Sequence, residues 1–295
     1  MLATPLRKFG YHYYLIEKLN KDTASDEFYE VFSVLKNFSE IYALKLFRKG
    51  YPDELIQKEL EIYEYLNKEE SPYFLKCISN SKDELIVKEK YIVLEFPEKG
   101  MLKNYILLGV YFSEQMAKIL TWKIFQCYIR LHEIGIVHKK ISLEYIFLDK
   151  FYNLKIGNFE YAKIIRNIEK DEKSYENEFR EEVYNLAILI IQLLTGKLEL
   201  KMIKDSLKLV IKKKNFGSFW KIIETQSENG EYDFTAELKD LINIMLSGKT
   251  VDIKKLLSHD WFEKVRTSIT NNEFDLYEQY MKNELKKLEE GKNRA

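Results

Sequence analysis

The sequence predicts an α+β protein of two lobes, a small β-rich lobe with one helix and a larger helical lobe after it. Three observations support this. Short β-branched and aromatic runs crowd the first hundred residues. Longer segments with helical spacing fill the chain from Ser113 onward. All four prolines (Pro5, Pro52, Pro72, Pro97) fall in the first third, where they punctuate short elements.

The runs Tyr13–Ile16, Tyr29–Val34 and Ile41–Phe47 are separated by polar stretches and read as antiparallel strands. Leu55, Glu59, Ile62, Tyr63 and Leu66 then recur at helical spacing, with Pro72 beyond the stop, so one helix crosses that sheet. Tyr91–Phe96 is a further strand. It ends at Pro97 and leads to Gly100, where the lobe boundary is placed. Ser113–Ile134 is a long amphipathic helix with Ser113 as N-cap and Gly135 just past its end. Two short strands are expected at Tyr145–Leu148 and Leu154–Ile156. Arg180–Leu194 is apolar nearly all round, as expected of a helix at the centre of a lobe. From Asn271 the tail is a charged helix carrying Phe274, Leu276, Tyr277, Tyr280 and Leu285, expected to dock on its own domain.

With 295 residues, 46% hydrophobic and 14% aromatic, the chain has material for a sizeable core. The 47 Lys and Arg balance 47 Asp and Glu, so no overall field holds it on nucleic acid or an anionic membrane. Only seven of those cations are arginine, which leaves few rigid forks for bidentate phosphate binding. Two cysteines, Cys77 and Cys127, are too few for a disulfide framework or a thiolate zinc site and fit a reducing compartment. No apolar run approaches the ~18 residues of a membrane span, and the first residues lack a signal-peptide layout. A cytoplasmic or nuclear protein is expected.

The junction sequences are more specific. Leu131-His132-Glu133-Ile134-Gly135-Ile136-Val137-His138-Lys139-Lys140-Ile141-Ser142-Leu143-Glu144-Tyr145, followed by Ile156-Gly157-Asn158-Phe159-Glu160, resembles the H-R-D-L-x-x-x-N and D-F-G loops of eukaryotic protein kinases. Tyr42-Ala43-Leu44-Lys45 is similar to the V-A-I-K strand. Glu182–Ala187 is similar to the start of that family's buried helix, and Ser258-His259-Asp260-Trp261-Phe262 to its terminal H-P-W-F. The stretch Tyr152–Gly157 looks like mitotic Ser/Thr kinases. The resemblance implies a kinase-like domain over 11–265, with an N-lobe at 11–96, a C-lobe at 101–265, and a helical tail at 266–295.

It also implies a degenerate catalytic set. Phosphoryl transfer needs magnesium ions on the phosphate oxygens, a lysine beside them and a carboxylate to orient the attacking hydroxyl. Lys140 stands where the family has its catalytic aspartate, and a cation cannot accept a hydroxyl proton. Tyr145 replaces the metal-binding asparagine and Asn158 the metal-binding aspartate, so both kinase-type ligands are lost. Ser142 replaces the loop lysine. The phosphate-covering loop, Asn20–Glu30, contains no glycine and carries Asp22, Asp26, Glu27 and Glu30. Glu182 follows Asn158 by only 24 positions, with no A-P-E match. Lys139 replaces the arginine that receives an activation phosphate, without its bidentate fork.

The retained positions are mostly structural. Lys45 and Glu59 match the family's ion pair, expected to be worth about 1 kcal/mol or less with solvent in the cleft. Val31, Ala43, Leu94 and Phe147, with Lys45 and Glu59, match its nucleotide pocket. Tyr63, Phe159 and His138 match its apolar stack. Glu182 is expected to hold the amides around His138 and Lys139. Glu144 and Asp149 read as structural acids, and Glu160 is the best candidate for a displaced metal ligand, with Glu144 behind it. The implied protein is a pseudokinase with no intact catalytic residue and no metal site, needing no cofactor or taking ATP without metal. Its partner would be a protein, either an active kinase or a kinase substrate, with no nucleic acid and no membrane. The alternatives are a divergent active Ser/Thr kinase and a metal-independent nucleotide sensor.

Overall fold

The structure, a computed structural model, describes residues 7–9, 12–19, 29–36, 39–82, 89–107, 112–165, 172–196, 203, 205–207, 216–225, 234–248 and 251–292. The chain divides into two compact units, Met1–Gly100 with Phe147–Ala162, and Met101–Ile146 with Lys163–Ala295. The first is β-rich with one long helix and the second is helical, as the sequence predicts.

The first unit is built on a six-stranded sheet, β1 (Arg7–Phe9), β2 (Tyr13–Lys18), β3 (Tyr29–Lys36), β4 (Glu40–Phe47), β5 (Cys77–Asn80) and β6 (Tyr91–Glu95). Its order is β1-β2-β3-β4-β6-β5, and every neighbouring pair is antiparallel. One face buries Tyr13, Val34, Leu44, Tyr91 and Val93 as a core. Because side chains alternate along a strand, the register decides what shares a face. Val31 lies opposite Lys45, Ser33 opposite Ala43, and Ala43 opposite Leu94.

Helix α1 (Asp53–Lys68) follows Pro52, whose fixed φ suits a helix entrance. Asp53 and Glu54 in its first turn and Lys68 in its last complement the helix dipole. It buries Ile56, Leu60, Ile62, Tyr63 and Leu66, and a charged residue, Glu59, among them. Asn67 near its end donates to the carbonyl of Cys77 (2.7 Å) and accepts from its N–H (3.2 Å), pinning the helix to β5.

The segment Phe147–Ala162 joins this unit through Ile156, which pairs in parallel with Phe74. Gly157 sits where a Cβ would come within 2.7 Å of the Leu75 side chain and 3.1 Å of the Phe147 ring, so a side chain there would require one of them or the segment to move.

In the second unit, after the short α2 (Leu102–Leu107), α3 (Glu114–Glu133) starts at Ser113, whose hydroxyl accepts from the N–H of Met116 (3.3 Å). It ends before Gly135, which adopts φ +74°. Helix α4 (Glu172–Thr195) begins eight residues earlier than the apolar run suggested and buries Val183, Leu186 to Ile191, Leu193 and Leu194. Tyr145, expected to open a strand, instead closes a 3-10 turn at Leu143–Tyr145. Ser142 holds that turn by accepting from the N–H groups of Glu144 and Tyr145, so the strand starts at Ile146.

Helices α5 (Phe216–Thr225), α6 (Ala236–Leu246), α7 (Ile253–Leu256) and α8 (Glu263–Thr270) complete the packing before α9 (Phe274–Lys292). Glu114 at the start of α3 accepts from Trp261 Nε1 (2.7 Å) and from the Thr235 hydroxyl (2.6 Å), tying α3 to the entrance of α6. Helix α9 docks on α3 by burying Met281 and Leu285 completely and by pairing Glu278 with Lys123 (2.9 Å). Among the described residues, no helix is long and apolar enough to cross a membrane.

Candidate functional site

Lys45 is the centre of the first unit's polar cluster. Strand β4 turns its side chain off the sheet toward α1, where only 4% of the residue remains exposed. Its ammonium donates to both oxygens of Glu59 (2.8 and 3.1 Å) and to Oδ1 of Asn158 (3.0 Å). A second carboxylate, Glu160, lies at ion-pair distance (3.5 Å). The ring of Tyr29 faces the same ammonium, 4.1 Å from its centroid, and Phe47 lies at 5.1 Å. Glu160 is itself held by Tyr51, whose hydroxyl donates to its Oε2 (3.2 Å).

The charges do not balance. One ammonium faces two carboxylates, both shielded from water, so the cluster carries an excess negative charge. Glu59 responds as electrostatics requires. Burial pushes its carboxyl above the ordinary value, Glu160 pushes it further, and Lys45 only partly opposes them. Burial and the same two glutamates push the Tyr51 hydroxyl up, keeping it a neutral donor.

The sequence reading undervalued this pair. With Lys45 and Glu59 both buried, the Coulomb energy is not screened as at a surface, and removing one partner strands the other. Expecting about 1 kcal/mol presumed water beside Lys45.

Asn158 is set by backbone as well as side chain. It adopts φ +62°, in the left-handed region that asparagine tolerates better than most residues, and its N–H donates to the Tyr63 hydroxyl (3.3 Å). Phe159 packs edge-on against Tyr63 (5.3 Å) and Phe74 (6.1 Å). With Oδ1 accepting from Lys45, the Nδ2 of Asn158 is shut off from solvent and has no hydrogen-bond partner among the described residues. The remaining residues matched to a nucleotide pocket also lie in this unit. Ala43 and Leu94 are buried, while Val31 and Phe147 are half-buried, Phe147 against Gly157. Of the glycine-free loop Asn20–Glu30, residues 20–28 lie outside the described residues.

In the second unit, Glu182 on α4 holds the loop that carries Lys140. Its Oε1 accepts from the N–H groups of His138 (2.5 Å) and Lys139 (2.9 Å), as the sequence predicts. The His132 ring, not anticipated, meets its other oxygen. One turn earlier on the same helix, Glu178 pairs with Lys139 Nζ (2.9 Å) and lies 3.8 Å from Lys163. The spacing of Glu178 and Glu182 on one helical face was a readable signal for this second contact. Lys139 takes φ +66°, so the double grip fixes a backbone that a lysine seldom adopts. Lys140 stands over the Tyr145 ring (5.4 Å), and His138 stacks on the same ring at 6.2 Å.

Glu144 pairs with Lys103, and Asp149 accepts from the N–H groups of Phe151 (2.8 Å) and Asn153 (2.9 Å). Both acids are absorbed by local structure. Among the described residues, no group of three or more His, Cys, Asp or Glu side chains could hold a metal ion. Glu160, the sequence candidate for such a ligand, is engaged by Lys45 and Tyr51.

A protein kinase domain model matches residues 27–262. The chain is similar to the serine/threonine-protein kinase cds1 of Schizosaccharomyces pombe, with 25% identity across 87% of this chain and 59% of that one. It is similar to a probable cell cycle serine/threonine-protein kinase, the CDC5 homolog of Encephalitozoon cuniculi, with 23% identity across 89% of this chain and 57% of that one. The mouse NUAK family SNF1-like kinase 1 is 31% identical over 157 residues, half of this chain and 22% of that one. The chain therefore spans less than two thirds of the length of these relatives.

Proposed function

The chain belongs to the protein kinase domain family, and on that premise we propose that it is a catalytically inactive member that acts by binding. It serves as a scaffold or allosteric partner in signalling, and its partner is a protein, either an active kinase or a kinase substrate. The observation that carries this reading is the engagement of Lys45. Its ammonium is consumed by Glu59, Asn158 and Glu160, and the Asn158 oxygen that would face a metal is spent on the same lysine.

These residues do not fit a magnesium nucleotide. A hard dication calls for carboxylate oxygens, whereas Asn158 offers a neutral amide already committed, and the excess negative charge beside Lys45 repels a polyphosphate. Lys140, on its tyrosine ring, supplies a cation where a base would have to accept a proton.

The test is incorporation of labelled phosphate from ATP, with magnesium or manganese, into the protein itself and into generic protein substrates. None is expected. Incorporation that disappears in Lys45→Met would establish an active kinase instead. Copurification of an active kinase or its substrate from the protein's own cells is the complementary expectation.

A further inference from the structure

Lys45 and Asn158 together leave half of an anion site in place. The ammonium supplies charge, and the Nδ2 of Asn158, on the same amide whose oxygen touches that ammonium, is a donor shut off from solvent and without an acceptor among the described residues. A buried donor without a partner costs free energy, and an oxyanion beside Lys45 is the group that would satisfy it. The amide cannot simply be turned over, because that would aim its N–H groups at the ammonium. Glu160, two residues further along the same segment, provides a carboxylate to Lys45, braced by Tyr51, but does not reach Asn158 Nδ2.

We propose that Glu160 is a tethered occupant of a latent oxyanion site formed by Lys45 and Asn158, and that it keeps phosphate-type anions out. The proposal rests on the reading of the chain as catalytically inactive and deepens it by naming what closes the site. The effective concentration of a carboxylate fixed on the same chain far exceeds that of a free anion, so a solution ligand loses the competition without any change of fold. Charge adds to this. With Glu160 in place, an arriving anion meets two carboxylates and one ammonium; with glutamine at that position, the cluster carries no excess charge.

The test measures binding of inorganic tripolyphosphate, ATP and adenosine, all in EDTA, by titration calorimetry on wild type, Glu160→Gln, Tyr51→Phe and the double variant Glu160→Gln with Lys45→Met. Glu160→Gln should bind tripolyphosphate at least about tenfold more tightly than wild type. Tyr51→Phe, which only loosens the brace, should show a smaller gain, and the double variant should lose the gain. Equal gains for ATP and tripolyphosphate identify a free-phosphate site; a larger gain for ATP, with adenosine binding alone, identifies a nucleotide site. Both support gating by Glu160. Wild type binding as tightly as a folded Glu160→Gln, or no gain in either single variant when circular dichroism shows both folded, overturns it. Phosphate incorporation by wild type would instead overturn the inactive reading, whatever the calorimetry shows.

Discussion

Replacing Glu182 by alanine tests the loop clamp most directly. The carboxylate is almost fully buried and accepts from two backbone N–H groups, His138 at 2.5 Å and Lys139 at 2.9 Å, besides the His132 ring. Hydrogen bonds to a charged group contribute about 1.5–3 kcal/mol each, so the two amides alone are worth about 3–6 kcal/mol. His132 retains a route to solvent and is left out of that count. Glu178, one turn earlier on the helix, is not free to replace the lost acceptor, because it is taken by Lys139 Nζ and Lys163. Set against total stabilities of about 5–15 kcal/mol, the loss is about a fifth of the fold's stability or more. At about 2–4 °C per kcal/mol for a unit of this size, the melting temperature should fall by about 6–24 °C. Differential scanning fluorimetry and circular dichroism read this directly. Glu182→Gln, which keeps one acceptor oxygen but loses the charge, should fall between the two. A native-like Glu182→Ala melting within about 3 °C of wild type would show that the loop does not depend on this carboxylate.

Two further outcomes concern the first unit. Lys45→Met strands two buried carboxylates and should cost about 3–5 kcal/mol; adding Glu59→Gln should recover part of it, and a thermal double-mutant cycle without such recovery would refute the buried-pair reading. Glu59 gives a pH dependence of definite sign. Its folded carboxyl lies above the ordinary value of 4.5, so the folded state binds the proton more tightly than the unfolded chain. The contribution of Glu59 to stability therefore rises as pH falls from neutral through the raised folded value toward 4.5, and is complete below it. Melts of wild type and Glu59→Gln across that range should show wild type gaining relative to the variant on acidification, and a difference independent of pH would contradict the assignment.

The strands and long helices were legible because their signals are periodic and local. Tyr29–Lys36 and Glu40–Phe47 are β-branched and aromatic runs bounded by polar stretches, and Ser113 and Gly135 mark the two ends of α3. The 3-10 turn at Tyr145 was missed because it depends on one serine hydroxyl, which the apolar pattern does not register. The polar clusters divided the same way. Lys45, Glu59, Asn158 and Glu182 were found because their positions match motifs in order and spacing. Tyr51, Tyr29 and His132 have no such spacing, and their roles arise only when the fold brings distant segments together, Tyr51 and Glu160 being 109 residues apart. Burial was the other blind spot. Sequence alone gave no reason to treat the Lys45–Glu59 pair as dry, and dryness multiplies the worth of an ion pair several-fold.

The two carboxylate-centred clusters are opposite in their electrical bookkeeping, and that difference governs how each can be perturbed. At Glu182, donors outnumber the single acceptor residue and every donor named is satisfied, so the arrangement has one low-energy state and fails by unfolding. At Lys45, acceptors outnumber the one ammonium, and a donor on Asn158 goes unused. A cluster with surplus charge and an unsatisfied group responds to a proton, an anion or a neutralising substitution, because each relieves a cost that the fold already bears. Variants that neutralise Glu160 should therefore change what the protein binds while leaving it folded, whereas variants at Glu182 should change whether it folds at all. Loss of folding in Glu160→Gln together with retention in Glu182→Ala would invert that division and refute the charge argument behind it.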